Sequence, residues 1–221
     1  MIRSSAPGRC GVVGNPTDGY GGTVISSSLA ERAVVEITPA DDIVLEICGY
    51  EERITGVGDL ALNNSYADVA KAVLTLFESA VTERKFHLKA DTTVPIQAGL
   101  AGSTTMLIAI LGAVLRMLDI RLSPYEIAET ARHIEFTIMN CVCGFQDQYM
   151  AVFGGLNYLD FRDKEPGGAA DPVFGTVESL EPLLGELPLL LANTGVQRHS
   201  GTVHKGFRER WLEGDPEVVD G

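Results

Sequence analysis

From Thr104 to Leu118 the residues Met106, Leu107, Ile110, Leu111, Val114, Leu115 and Leu118 recur at the helical period and fill a broad apolar face. A helix that apolar has to be enclosed by other elements, so the chain must build a sizeable core around it. Its 221 residues suffice for that without disulfide or metal staples. The run is too short and too interrupted to span a bilayer. The stretch from Met1 to Gly8 has no apolar h-region, so secretion is not expected.

The surrounding sequence supplies strands and further helices. Val24 to Ser28, Ala33 to Ile37 and Ile43 to Ile47 read as strands, with a turn at Asp18 to Gly22. Tyr66 to Phe77 changes to a 3.6-residue period and reads as an amphipathic helix. Phe86 to Ala90 alternates and reads as a strand. Ser123-Pro124-Tyr125-Glu126 is a capping box with proline at the first helical position, opening a helix to about Met139. Gln146 to Phe153 reads as a short helix, Leu156 to Asp160 as a strand, and 163–172 as an exposed loop. Leu187 to Asn193 is a strand candidate and Val203 to Leu212 a last helix. Strands and helices without strict βαβ alternation predict an α+β fold. The final residues, Asp215 to Gly221, do not read as the end of a packed element.

Charge narrows the partners. Seventeen basic against thirty acidic residues give a net charge of −13, which disfavours nucleic acid and anionic membranes. Nucleotides stay open, because local N–H groups and metals hold them. Cys10, Cys48, Cys141 and Cys143 form no Cys-x-x-Cys pair and read as free thiols of a cytoplasmic protein.

Four segments carry candidate chemistry. The loop from Pro95 through Gly99, Leu100, Ala101, Gly102, Ser103 and Thr104 leads directly into the apolar helix. Glycines let backbone N–H groups converge, and the helix start adds free donors and a positive dipole end, so a phosphate fits there. A strand-to-helix turn capped by serine fits the same residues. Asp147, between Gln146 and Gln148, is either a helix cap or a carboxylate presented to a hydroxyl. Glu135 lies between Ile134 and Phe136, so its face is ambiguous; with a hydroxyl such as Ser103 it suits Mg²⁺. Arg9 and the run from Asn15 through Asp18 to Tyr20 read either as surface and turn residues or as convergent groups for a sugar's hydroxyls.

Taken in order, these segments resemble the GHMP small-molecule kinases. Ala6-Pro7-Gly8-Arg9 with Gly14-Asn15-Pro16-Thr17-Asp18 is similar to the family's first motif. Pro95-x3-Gly99-Leu100-x-Gly102-Ser103-Thr104 is similar to its ATP loop. Gly144 to Tyr149, followed by Phe153 to Leu156, resembles the segment bearing the catalytic aspartate. Within the family the likeness is to sugar kinases, those of glucuronate and heptose phosphates.

The resemblance implies a two-lobed fold with a ribosomal-S5-like N-terminal lobe, here residues 1–190, and the start of a truncated C-terminal domain at 191–221. It implies ATP and Mg²⁺ as cofactors and transfer of a phosphoryl group to a sugar or sugar acid, at the anomeric hydroxyl by the glucuronokinase likeness. Asp147 would be the catalytic carboxylate and Arg9 its charge-stabilising partner. Pro95 and Gly99 to Thr104 would wrap the phosphates, and Ser103 and Glu135 would hold Mg²⁺. Asn15, Asp18, Tyr20, Thr194 and Arg198 would contact the sugar. A different GHMP substrate, or a non-catalytic relative that binds sugar or nucleotide, is the alternative. Two departures stand out: Ala101-Gly102 loses a hydroxyl usual in the loop, and the family's glycine-rich third motif is missing.

Overall fold

Two long antiparallel strands organise the fold. In the computed structural model, which describes residues 1–95, 97–164, 173–184, 188–192, 206 and 209–215, β1 (Ile2–Val13) runs beside β2 (Thr23–Pro39). β3 (Ile43–Ile47) and β4 (Tyr50–Ile54) form a hairpin, and helices α1 (Asp68–Leu76) and α2 (Glu78–Val81) follow. Next come β5 (Phe86–Thr92), α3 (Gly102–Met117), α4 (Pro124–His133) and α5 (Gln146–Phe153). β6 (Leu156–Asp160), β7 (Thr176–Ser179) and α6 (Glu181–Leu184) complete the described elements. The sheet order is β4-β3-β5-β2-β6-β7, with β1 paired to β2. Among the described strands only the β3–β5 pairing is parallel. Strands and helices in this order form the expected α+β fold.

Alternation along the strands fixes which face is apolar. Ala33, Val35 and Ile37 of β2, Leu88 and Ala90 of β5, and Leu45 of β3 are buried. They share one core with α3, which packs on β1 and β2. Nearly every residue of α3 from Thr104 to Leu115 is buried, so it is the central helix its apolar run predicts. Each large apolar side chain enclosed there contributes about 1.5–3 kcal/mol. A second, smaller cluster of Phe145, Tyr149, Met150, Leu159 and Phe161 seats α5. Behind it Tyr149 donates to Glu129 at 2.5 Å, and the buried Lys164 ammonium pairs with Glu129 at 2.9 Å.

Three sequence expectations need correction. Val24 to Ser28 and Ala33 to Ile37 are one strand, because β1 pairs along both halves while β6 takes the first half and β5 the second. The capped helix begins as expected, with Ser123 accepting from the Glu126 N–H, but its end is a π turn at Ile134–Ile138. Residues 188–192 hold no regular element where a strand was expected. β1 and β4 were not anticipated. Of the expected last helix, 206 and 209–212 are helical and the rest lies outside the described residues. So does most of the loop at 163–172; the expected division at 190/191 falls within 188–192, between the stretches 185–187 and 193–205 that lie outside them.

Candidate active site

The Gly-rich loop bends onto α3 through left-handed backbone at Gln97, Gly99 and Ala101, with φ of +55°, +72° and +60°. Glycine adopts this freely at 99, whereas at Ala101 it costs on the order of 1 kcal/mol. Ala101, not Ser103, occupies the cap position, and no side chain caps the helix. The first intrahelical bond runs from the Thr105 N–H to the Ala101 carbonyl, 2.8 Å. The N–H groups of Gly102, Ser103 and Thr104 are therefore left for an anion.

The three hydroxyls of this turn have separate fates. Thr105 donates to the Ala101 carbonyl at 2.7 Å, and buried Thr104 donates to Glu135 Oε1 at 2.7 Å. Ser103 is exposed and lines the cavity. Of the three, Ser103 is the hydroxyl that faces the cavity, because the Thr104 and Thr105 hydroxyls already donate to Glu135 and to the Ala101 carbonyl.

β1 delivers the cation. Its register with β2 shifts between Pro7 and Arg9, the kind of irregularity that re-aims a side chain. The Arg9 guanidinium donates through Nε and Nη2 to Asp147 Oδ1, at 2.7 and 2.5 Å, and through Nη1 to the Gly99 carbonyl at 2.7 Å. The Arg9 N–H also donates to the Leu100 carbonyl at 3.2 Å. One side chain thus ties the carboxylate to the phosphate-type loop. Both side-chain bonds to Asp147 fall on Oδ1, leaving Oδ2 for a hydroxyl. Asp147 stands in the first turn of α5, but the cap position is Phe145, so the capping alternative for Asp147 is wrong.

Glu135 points inward from the π turn, a distortion that is frequent at functional sites. It is 4% exposed, accepts from Thr104 at Oε1, and accepts from the Gln148 amide at Oε2. Burial pushes its carboxyl up to about 7; the Thr104 and Gln148 hydrogen bonds oppose this and the nearby Asp147 charge adds to it. The folded chain therefore binds this proton more tightly than the unfolded chain does. Stability present below about pH 4.5 is lost as pH rises toward 7, by roughly 3 kcal/mol. Glu135→Gln should flatten the melting temperature between pH 5 and 8 in EDTA, where the parent chain falls. Parallel pH slopes in the two proteins would refute this account of Glu135.

These groups surround one cavity of about 780 Å³, the size range of small-molecule sites. Arg9, Asn15, Asp18, Tyr20, Gly99, Leu100, Ala101, Gly102, Ser103, Thr104, Glu135 and Asp147 all line it. Pro95 does not; the neighbouring Val94 takes its place in the wall. Thr194 and Arg198 lie outside the described residues. Sequence reasoning missed the apolar wall of Ile47, Tyr66, Val69, Val94 and Met106, and the Cys141–Gly144 segment. The wall draws on β3, the approach to α1, α1 itself, the end of β5 and α3, so no local pattern announces it. Tyr20 meets Trp211 in a tilted ring contact, centroids 5.3 Å apart and planes at 46°. All four cysteines are free, and among the described residues no helix is long and apolar enough to cross a membrane.

The chain is similar to known proteins across this arrangement. Residues 67–155 match the family model described as the GHMP kinases N terminal domain. Over that segment the chain is similar to the GHMP kinases. The matched segment spans α1, the loop, α3, Glu135 and Asp147. Among curated relatives, D-glycero-alpha-D-manno-heptose 7-phosphate kinase of Campylobacter jejuni is 29% identical over 180 residues, 74% of this chain and 52% of that protein. Glucuronokinase 1 of Arabidopsis thaliana is 27% identical over 229 residues, 96% of this chain and 62% of that protein. The chain thus spans just over half to three fifths of these relatives' lengths. A solved D-glycero-D-manno-heptose 1-phosphate kinase from Bacteriodes thetaiotaomicron superposes with a TM-score of 0.65 at 27% identity, over 73% of this chain and 56% of that one.

Proposed function

We propose that the protein is an ATP-dependent kinase of a sugar or sugar acid, moving the γ-phosphoryl group of ATP to a sugar hydroxyl. The observation that carries this reading is the Arg9 guanidinium, bonded at once to the Asp147 carboxylate and to the Gly99 carbonyl of the loop. It sets an acceptor-aligning carboxylate beside a helix start built for phosphate. The names of the relatives, kinases of heptose phosphates and glucuronate, support a sugar-type acceptor. The glucuronokinase likeness points to the anomeric hydroxyl. The free thiols suit action in the cytoplasm.

Asp147 Oδ2 accepts the acceptor's hydroxyl hydrogen and aims its oxygen. As that oxygen bonds to the γ-phosphorus and the bond to the bridging oxygen of ADP breaks, the proton passes to Asp147. Arg9 and the N–H groups of Gly102 to Thr104 balance the negative charge of the transferring group. Asn15 and Tyr20, which line the cavity, would meet the sugar.

The residues present also fit Mg²⁺. Glu135 and Asp147 are like charges on one cavity wall, a repulsion that a divalent cation relieves. Ser103 and Glu135 supply hard oxygen donors of the kind Mg²⁺ takes alongside phosphate and water. Bound there, Mg²⁺ would neutralise phosphate charge. Among the described residues no three acidic, histidine or cysteine side chains are placed to hold a metal ion by themselves. Ser103→Ala should raise the Mg²⁺ concentration needed for half-maximal ATP binding by about fivefold, with nucleotide affinity at saturating Mg²⁺ little changed, since the backbone donors remain. An unaltered Mg²⁺ titration would remove Ser103 from the ligand set.

The function is tested by following ADP release from MgATP across free sugars, sugar acids and heptose phosphates. Turnover with one acceptor class is expected. Thermal stabilisation by nucleotide with no turnover on any acceptor would contradict the kinase reading and favour a binding protein.

A further inference from the structure

Helix α5 carries Asp147 but has no cap of its own. Its cap position is Phe145, an apolar side chain with no capping bond. A helix start leaves N–H groups that need acceptors. Two of them, from Phe145 and Gln146, end on a single oxygen, Asp18 Oδ2, at 2.8 and 2.9 Å. Asp18 is 127 positions earlier in the chain, on the short 3₁₀ turn Thr17–Tyr20, and is 5% exposed.

The approach is close enough to dictate the neighbouring residue. A Cβ at Gly144 would lie 2.0 Å from Asp18 Oδ2 and 2.7 Å from its Cγ. Glycine at 144 is therefore what admits the carboxylate to the helix end. Burial pushes the Asp18 carboxyl above its ordinary range, the N–H bond from Gln146 holds it down, and the charge of Asp147 pushes it up again. A cap serving stability alone has no need to sit buried beside a second carboxylate.

We propose that Asp18 is a positioning residue for Asp147: it caps α5 from a distant turn and so fixes where the helix presents its carboxylate. Arg9 holds the Asp147 side chain, and Asp18 holds the backbone beneath it. This rests on the kinase reading of the site and replaces a purely sugar-binding role for Asp18. Because Asp18 also lines the cavity, the turn that meets the acceptor is the same turn that anchors the helix.

The test compares Asp18→Ala, Asp18→Asn and Gly144→Ala with the parent protein. The first readout, amide hydrogen exchange over residues 145–150, needs no activity. Asp18→Ala should speed that exchange by about tenfold or more. Asp18→Asn, whose amide oxygen still accepts both N–H bonds, should restore protection. Gly144→Ala keeps the carboxylate but displaces it, and should expose the same amides. The second readout is turnover: Asp18→Ala should lower kcat by about thirtyfold with acceptor KM within about threefold, and Asp18→Asn should recover most of kcat. Parent-like exchange in Asp18→Ala, or a KM rise of tenfold or more at unchanged kcat, would overturn the proposal in favour of direct acceptor contact. If Asp18→Ala does not fold, parent-like exchange in Gly144→Ala overturns it equally. If the parent protein turns over no acceptor, the kinase reading fails, while the exchange comparison still decides whether Asp18 anchors α5.

Discussion

Asp147→Asn should lower kcat by about 10³-fold while MgATP binds within about threefold of the parent affinity. The substitution is nearly isosteric, and its amide oxygen still accepts from the Arg9 guanidinium, so loop and helix stay tied. What is lost is the oxygen that receives the acceptor's proton, and with it the negative charge that aims the hydroxyl. Single-turnover kinetics beside nucleotide titration calorimetry separate the two effects. Full turnover in the variant would remove Asp147 from the chemistry.

Arg9→Ala should lower kcat by about 10²- to 10³-fold, with Arg9→Lys recovering little of it. Among the described residues lining the cavity, Arg9 is the one cation, set against Asp18, Glu135 and Asp147. Its three side-chain bonds run in two directions, to a carboxylate and to a loop carbonyl, which suits the planar guanidinium. An ammonium is a point charge on a flexible stem and does not reproduce that fork. The guanidinium is also largely enclosed, its side chain 11% exposed against 31% for Asp147, so water screens the pair only partly. Parent-like rates in Arg9→Lys would show that charge alone, without the fork, is sufficient.

Features written in short-range patterns were legible in the sequence. The period of α3 announced a central helix, and the Ser123 capping box gave the start of α4 to the residue. Features created by long-range pairing were not. Ser26 to Ser28, with Glu31 and Arg32 beyond them, look like the end of a strand, yet β2 continues because three partner strands take up its hydrogen bonds. The inward turn of Glu135 depends on a π distortion that its flanking Ile134 and Phe136 do not reveal. Ser103 has the chemistry of a cap, but the left-handed backbone at Ala101 starts the helix two residues early and leaves the hydroxyl at the cavity.

The same division runs through the site. Resemblance to the GHMP kinases brought Arg9, Ser103, Glu135 and Asp147 together, and the structure sets all four on one cavity wall. The Asp18 carboxylate at the start of α5 had no local signal, because helix caps are ordinarily sought next to the helix and not on another element. Gly144 carries a trace of it: a glycine directly before a helix can mark close approach by another group as well as a turn.

The most direct measurement is a crystal structure of the protein with Mg²⁺, a non-hydrolysable ATP analogue and the acceptor found by turnover. The account predicts the terminal phosphates over the N–H groups of Gly102 to Thr104, Mg²⁺ between them and Glu135, and one acceptor hydroxyl in hydrogen-bond reach of Asp147 Oδ2. An analogue seated away from the start of α3, or an acceptor with no hydroxyl near Asp147, would contradict it.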